Sequence, residues 1–197
     1  VGVASMLRFE GGVDLDFAIE GGARDAGEAW KVGNAQYRSV TPGYFEALKI
    51  GWVRGRLLAD KDRLGGAPVA LINRAAERLY WPTQDPIGQR ITIGHRIPQI
   101  ADPEPREIIG VVHDVHELGL GAEPPAIVYV PIGQVPPPLL ALLVRTLPYS
   151  LLVRASGDPV ALAEILQREI RAVDPSQPVT DIVPMEEIVE RSLGSQR

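Results

Sequence analysis

The chain has no cysteine among its 197 residues, so disulfides and thiolate chemistry are both excluded, a state compatible with either side of a membrane. It also lacks any cluster of Lys and Arg, and its net charge is −5 at pH 7, which argues against a nucleic-acid surface. The same weakly acidic balance offers no electrostatic pull toward anionic lipid. Long apolar runs are missing too. The longest, Leu139 to Val144, falls far short of the about 20 residues that cross a bilayer. No targeting segment is expected, since Val1-Gly2-Val3 carries neither a basic start nor a cleavage site. Both ends read as cut from something longer, the second inside a helix. Neither a phosphate-binding loop nor a dinucleotide fingerprint occurs, so no Walker-type ATP site is expected here.

What is present is ordinary for a globular chain, with 45% hydrophobic and 23% charged residues and enough length to bury a core in one domain or two small ones. The densest local signals lie between Tyr37 and Ile93. Thr41 before Pro42 predicts a helix cap with proline at the first helical position, where its missing N–H costs nothing. Tyr44, Phe45 and Leu48 follow at helical spacing. Val69 to Ile72 predicts a buried strand, Asn73 the cap of a helix running to about Tyr80, and Pro82 its stop. Asp85 to Gly88 makes a turn into a short strand, Arg90 to Ile93.

Before this stretch, Val1 to Met6 and Asp14 to Ile19 predict strands, Glu20 to Gly33 a loop, and Asn34 to Val40 an extended segment. After it, His95 to Arg106 has three prolines and two acids and reads as an exposed loop. Glu107 to Val112 and Ala126 to Ile132 are apolar runs suited to strands buried on both faces. The four prolines between Gln134 and Tyr149 argue against a long helix and for a connection with a short strand. Ser150 to Ala155 predicts a strand. Asp158 then caps a helix opening at Pro159, with Leu162, Ile165, Leu166, Ile170 and Val173 as its apolar stripe and Glu164 and Arg168 as an i, i+4 pair opposite. Asp174-Pro175 ends it, Val179 to Val183 predicts a strand, and Pro184 opens a last helix. The strands are too many for a purely parallel sheet, which points to an α+β class with a mixed sheet.

Few residues carry a pattern suited to chemistry. His113 and His116, with Asp114 or Glu117, have the side-chain types of a zinc site. If the strand from Glu107 continues, however, the two histidines point to opposite faces, and the plainer reading is a solvated strand end. Asp60 and Asp62 around Lys61 lack the oxygen spacing and glycine of a calcium loop and read as a solvated turn. Asp102, Glu104 and Glu107 include the types for acid and base, in a loop too exposed for burial to tune them. Ser39, Ser150 and Ser156 lie in no nucleophile elbow. No catalytic, cofactor or metal residue is therefore assigned. Tyr44, Phe45, Trp52, Tyr80 and Trp81 read as core. The sharper alternative leaves Trp52 or Trp81 exposed as a partner anchor, with Trp81 preferred because it closes a helix before Pro82.

The succession TPGYF, LKI, RGR, APVALIN, AERLYWP, DPIGQRI, REIIGVVHDVHELGL and PPAIVYVPIGQ, running on through LLVRASGDPVALAEILQREIRAVDPSQPVTDIVPMEEIVERSL, resembles the periplasmic core domain of MacB-type ABC-transporter permeases. These belong to the wider group that shares the FtsX-like permease module, within which the chain resembles the long permeases of the acidobacterial type. The resemblance covers almost the whole chain. It implies a porter-like, membrane-proximal lobe from residues 1–40 and 148–197, with 41–147 inserted as a second small α/β lobe. It further implies a non-catalytic domain without cofactor, on the periplasmic side of an inner-membrane protein, coupling ATP-driven transmembrane movement to export or signalling. Implied partners are the flanking transmembrane helices of its own permease, an ABC ATPase that binds magnesium and ATP, and a periplasmic adaptor or a second permease copy, with no nucleic acid. Drug or peptide efflux, lipoprotein release and signalling to cell-wall enzymes all stay open. Two alternatives stand beside it: a stand-alone metal-dependent hydrolase using His113 and His116, and a free periplasmic ligand-binding module.

Overall fold

The computed structural model describes residues 1–5, 13–21, 31–115, 123–146, 149–156, 159–176, 179 and 182–194. The chain divides into two compact units, Val1–Val153 and Arg154–Arg197.

The first unit holds all the strands among the described residues. These are β1 (Gly2–Ser5), β2 (Val13–Ile19), β3 (Lys31–Val40), β4 (Trp52–Gly55), β5 (Val69–Asn73), β6 (Arg90–Ile93), β7 (Arg106–Val112), β8 (Ile127–Pro131) and β9 (Tyr149–Leu152). They form one mixed sheet in the order β2-β6-β7-β5-β8-β3-β1-β9, with β4 added on β7. The β3–β8 and β5–β7 pairs are parallel and the others antiparallel. Because β2 also pairs with β3 along Val13–Ile19, the path β2-β6-β7-β5-β8-β3 returns on itself. Closure leaves those strands no free edge over the paired stretch. Pairing of β3 with β8 joins residues on both sides of position 40, and the division between compact units lies after Val153.

Alternation along the strands sorts the core into two faces. Ala70, Ile72, Val128, Val130, Phe17 and Ile19 belong to one cluster, which Trp81 and the helix residues Leu139 and Leu143 join. Val69, Leu71, Ile127 and Tyr129 belong to the other, which α1 (Gly43–Ala47) covers with Tyr44 and Phe45. That helix lies directly on β1: a Cβ on Gly2 would stand 2.5 Å from the Tyr44 Cα, and one on Gly43 would stand 1.9 Å from the Val1 carbonyl oxygen. Only glycine at both positions permits this approach.

Helix α2 (Arg74–Tyr80) starts at Asn73, whose side chain accepts the Ala76 N–H at 3.1 Å, and ends at Trp81 before Pro82. These are the cap and the stop that the residues predict. Elsewhere the outcome differs from the local reading. Thr41 does not cap α1 through its side chain; the N-cap is Pro42, and the Thr41 hydroxyl instead accepts the Val3 N–H at 2.8 Å, tying β1 down. The proline-rich segment after Gln134 holds a ten-residue helix, α3 (Pro137–Thr146), after a 3-10 turn at Ile132–Gln134. Its prolines cluster at the start, where no intrahelical N–H is required, so they do not oppose the helix. The expected loop Glu20 to Gly33 overlaps β3, which already begins at Lys31; residues 22–30 lie outside the described residues.

The second unit contains α4 (Pro159–Val173) and α5 (Met185–Gly194). Along α4, Leu162, Leu166 and Ile170 are half-buried while Ile165 and Val173 are exposed, so the stripe is narrower than its spacing suggests. Arg168 pairs with Glu169 at 3.2 Å and not with Glu164. The expected cap Asp158 lies outside the described residues, as do Thr180 and Asp181 in the expected strand; Val179, Ile182 and Val183 are not in a strand.

Candidate functional site

Three of the acids singled out above, Asp62, Asp102 and Asp114, accept backbone N–H groups. The segment from His95 to Arg106 is not simply an exposed loop, because Asp102 and Arg106 form an ion pair with both side chains 3% exposed. The guanidinium meets the carboxylate twice, Nη2 to Oδ1 at 2.7 Å and Nε to Oδ2 at 2.8 Å. It also donates to the Gln134 carbonyl at 2.7 Å and to Gln134 Oε1 at 3.2 Å. Gln134 in turn accepts the Val69 N–H at 3.1 Å and donates to the Ala67 carbonyl at 2.9 Å. A planar fork matched to a carboxylate is the geometry that makes burial of such a pair tolerable. Glu104 and Glu107 remain exposed, so the three acids do not make one acid–base site.

Asp62 is likewise buried, contrary to a solvated turn. Its carboxylate receives Arg56 Nη1 at 2.6 Å, Arg56 Nη2 at 2.8 Å and the Ala59 N–H at 2.9 Å. Burial pushes its pKa up, but the hydrogen bonds from Arg56 and Ala59 outweigh that and hold it below the ordinary 3.8. Asp60 is exposed.

Of the histidine pair, His113 is exposed, and His116 and Glu117 lie outside the described residues. Asp114 is already engaged, accepting the Ala75 N–H at 2.8 Å and Arg78 Nη2 at 3.0 Å at the start of α2. There it serves the unpaired amides of the first helical turn. Among the described residues no group of three or more His, Cys, Asp or Glu side chains converges as a metal site would require. Ser39 is fully buried and its hydroxyl lies 2.9 Å from the Tyr149 hydroxyl; Ser150 is half-buried and Ser156 exposed.

The aromatic residues divide differently from the expectation. Trp81 is 3% exposed and stacks on Phe17 at 6.1 Å, whereas Trp52 is 59% exposed. Helix termination at Trp81 turns its ring inward, onto the cluster that fills the closed sheet. Trp52 lies on β4, which among the described residues pairs with β7 alone. No local signal around Trp52 or Trp81 tells which ring a distant strand will cover.

The segment Trp81–Asp85 forms a ridge between two shallow grooves. One, of about 590 Å³, reaches Ile19 and Gly21. The other, of about 530 Å³, runs between β4 and α2 and is lined by Val53, Arg54, Arg74, Glu77 and Arg78. Both are open clefts, and neither lining brings a nucleophile and a base together.

Comparison with known proteins places these features in a family. The model of the MacB-like periplasmic core domain matches residues 12–173. Among solved structures, the periplasmic region of MacB from Actinobacillus actinomycetemcomitans superposes with a TM-score of 0.56 at 14% identity, covering 87% of this chain and 66% of that one. The extracellular domain of the noncanonic ABC-type transporter YknZ from Gram-positive bacteria superposes with a TM-score of 0.50 at 20% identity, covering 86% of this chain and 75% of that one. The chain thus spans just under two thirds of the MacB region, and at these identities the likeness is one of fold. No curated protein matches. No helix among the described residues is long and apolar enough to cross a membrane. The family model covers most of the chain, and the mixed sheet agrees with the neighbouring folds: the chain belongs to the MacB-like periplasmic core domain family, the periplasmic part of ABC-type transporter permeases.

Proposed function

We propose that this chain is a non-catalytic lobe on the periplasmic side of an inner-membrane permease, converting ATP-driven movement of the membrane helices into export or signalling outside the membrane. The observation that carries the reading is the family match over residues 12–173. A lobe that transmits movement must resist deformation itself. The closed strand path and the buried Asp102–Arg106–Gln134 tie, which links the starts of β5 and β7 to the turn before α3, support that requirement. The ATPase partner is a separate subunit or domain that binds nucleotide, and the permease's own membrane helices are the immediate mechanical partners.

The test uses the whole permease with its ATPase in liposomes, spin-labelled at Leu64→Cys and Leu79→Cys, positions 84% and 62% exposed in the first unit. The distance between these two labels should stay constant between the nucleotide-free and vanadate-trapped states. The distance from Leu64→Cys to a label in an adjoining membrane helix should change. If that second distance is also constant through the cycle, the coupling reading is wrong.

A further inference from the structure

Strands β1 and β9 lie outside the closed path of strands. Each strand within that path pairs with at least two others, whereas β9 pairs with β1 alone among the described residues, from Gly2 opposite Leu152 to Ser5 opposite Tyr149. The attachment of this β1–β9 pair to the path is thinner: one register pair, Ala4 opposite Val40 of β3. In a regular antiparallel ladder the residues flanking such a pair exchange backbone N–H and C=O bonds. Here hydroxyls intervene. On one side of the pair the Thr41 N–H donates to the Val3 carbonyl at 2.9 Å, but the Val3 N–H donates to the Thr41 hydroxyl at 2.8 Å. On the other side the Ser39 N–H donates to the Ser5 hydroxyl at 3.1 Å, and the Ser39 hydroxyl lies 2.9 Å from that of Tyr149 on β9. Side-chain oxygens thus span the seam between β1 and β3 at both ends of a single backbone pair.

We infer that this seam is a joint at which the β1–β9 pair opens as a unit from the closed path of strands, while the path itself stays folded. Parting at the seam breaks one short attachment, whereas withdrawing any strand of the path breaks two ladders, so the seam is the less costly place to open. The joint deepens the coupling reading, and its use in a permease rests on that reading. Among the described residues β9 is the last strand before the second unit, which begins at Arg154. A pull on that unit therefore acts first on β9 and its partner β1, and a seam that yields lets them shift without deforming the path. Packing resists the opening. Ala4 and Leu152 are buried in the cluster that α1 covers, and the competing reading is that this packing locks β1 as firmly as the strands of the path.

The experiment is native-state hydrogen exchange on the full chain, read residue by residue by NMR. The amides of Val3, Ser39 and Thr41 should exchange at least about a hundredfold faster than the slowest amides of β5 and β8, which report global unfolding. Their protection factors should agree within about threefold, as one shared opening requires. Asn73→Ala, which weakens the path where β5, α2 and β8 meet, separates the two readings. If the path stays folded when the seam opens, this substitution should speed the β5 and β8 amides at least about tenfold and leave the three seam amides within about twofold of their former rates. Asn73→Asp makes the same comparison if the alanine variant does not fold. Seam amides as slow as those of β5 and β8, or sped up together with them, mean that β1 is released with the whole unit and overturn the joint. Protection factors scattered among the three mean local fraying and overturn it too. The measurement needs no membrane or ATPase, so a failed coupling test in liposomes leaves its outcome standing and removes the joint's use in the permease alone.

Discussion

Tyr37 is buried in the closed part of the sheet, and its hydroxyl has no hydrogen-bond partner among the described residues. Burial pushes its pKa above the ordinary 10.0; the Arg106 guanidinium pulls the other way and the Asp102 carboxylate adds to the rise. An acid whose folded pKa is raised contributes stability that is complete below its unfolded pKa and is lost as pH climbs toward the folded value. Unfolding free energy should therefore fall as pH rises past about 10, and Tyr37→Phe should flatten that fall, since the phenol is the group that titrates. Near pH 7 the same substitution should change stability by no more than about 1 kcal/mol, because it removes an unpaired hydroxyl rather than a hydrogen bond. Urea titrations of both chains between pH 7 and 11 check this; equal slopes above pH 10 would refute it. Arg106 is the opposite case. Its guanidinium touches a carboxylate and the backbone of a distant turn at once, so it is a structural cation and not a spare one.

At the scale of elements, Asn73 joins three segments. Its Oδ1 accepts the Ala76 N–H at 3.1 Å and the Ile127 N–H at 2.9 Å, and its Nδ2 donates to the Pro125 carbonyl at 2.8 Å. An ordinary cap contributes about 1 kcal/mol. Asn73 also satisfies backbone groups of β8 and its approach, and a buried N–H or C=O left unpaired costs about 1–3 kcal/mol. Asn73→Ala should thus cost about 3 kcal/mol or more, with Asn73→Asp intermediate because it keeps both acceptor bonds and loses the donor. A loss for Asn73→Ala no larger than that of a simple cap would show that Pro125 and Ile127 find water instead. Helix α3 shows the same dependence on context. Leu139 and Leu143 are buried while Leu142 and Val144 are exposed, so one face of an apolar helix supports the core and the other does not.

At the scale of the whole molecule, both core clusters are drawn from residues between Ala4 and Leu152, all within the unit Val1–Val153. A domain carrying its own core can fold alone. The fragment 1–153 should retain native near-ultraviolet circular dichroism and unfold cooperatively, with a midpoint within about 5 °C of the full chain. A fragment without a cooperative transition would show that residues beyond Val153 complete the core. The same scale separates function from fold. Family membership assigns the domain to a permease, while the closed path of strands, which leaves β4 outside it, describes the fold alone.

Residue order alone already determined β5, α2 with its Asn73 cap, β6, the two-face burial of β7 and β8, α4 and the mixed-sheet class. Each of these depends on spacing and capping within a few residues, where side chain and backbone are neighbours before any folding. The family was legible from the succession of short motifs. What needed the assembled fold was every feature made by distant pairs: the parallel partnership of β3 with β8, the return of β2 onto β3, the inward turn of Trp81 with Trp52 left outside, and the ion pairs of Asp102 and Asp62. Asp102 and Arg106 are four residues apart, but Gln134, which fixes them, lies 28 residues beyond Arg106 and accepts from Val69, 65 residues before it. Burial is decided by what arrives from elsewhere in the chain, so an acidic, proline-rich loop and a buried ionic tie look alike until those partners are in place.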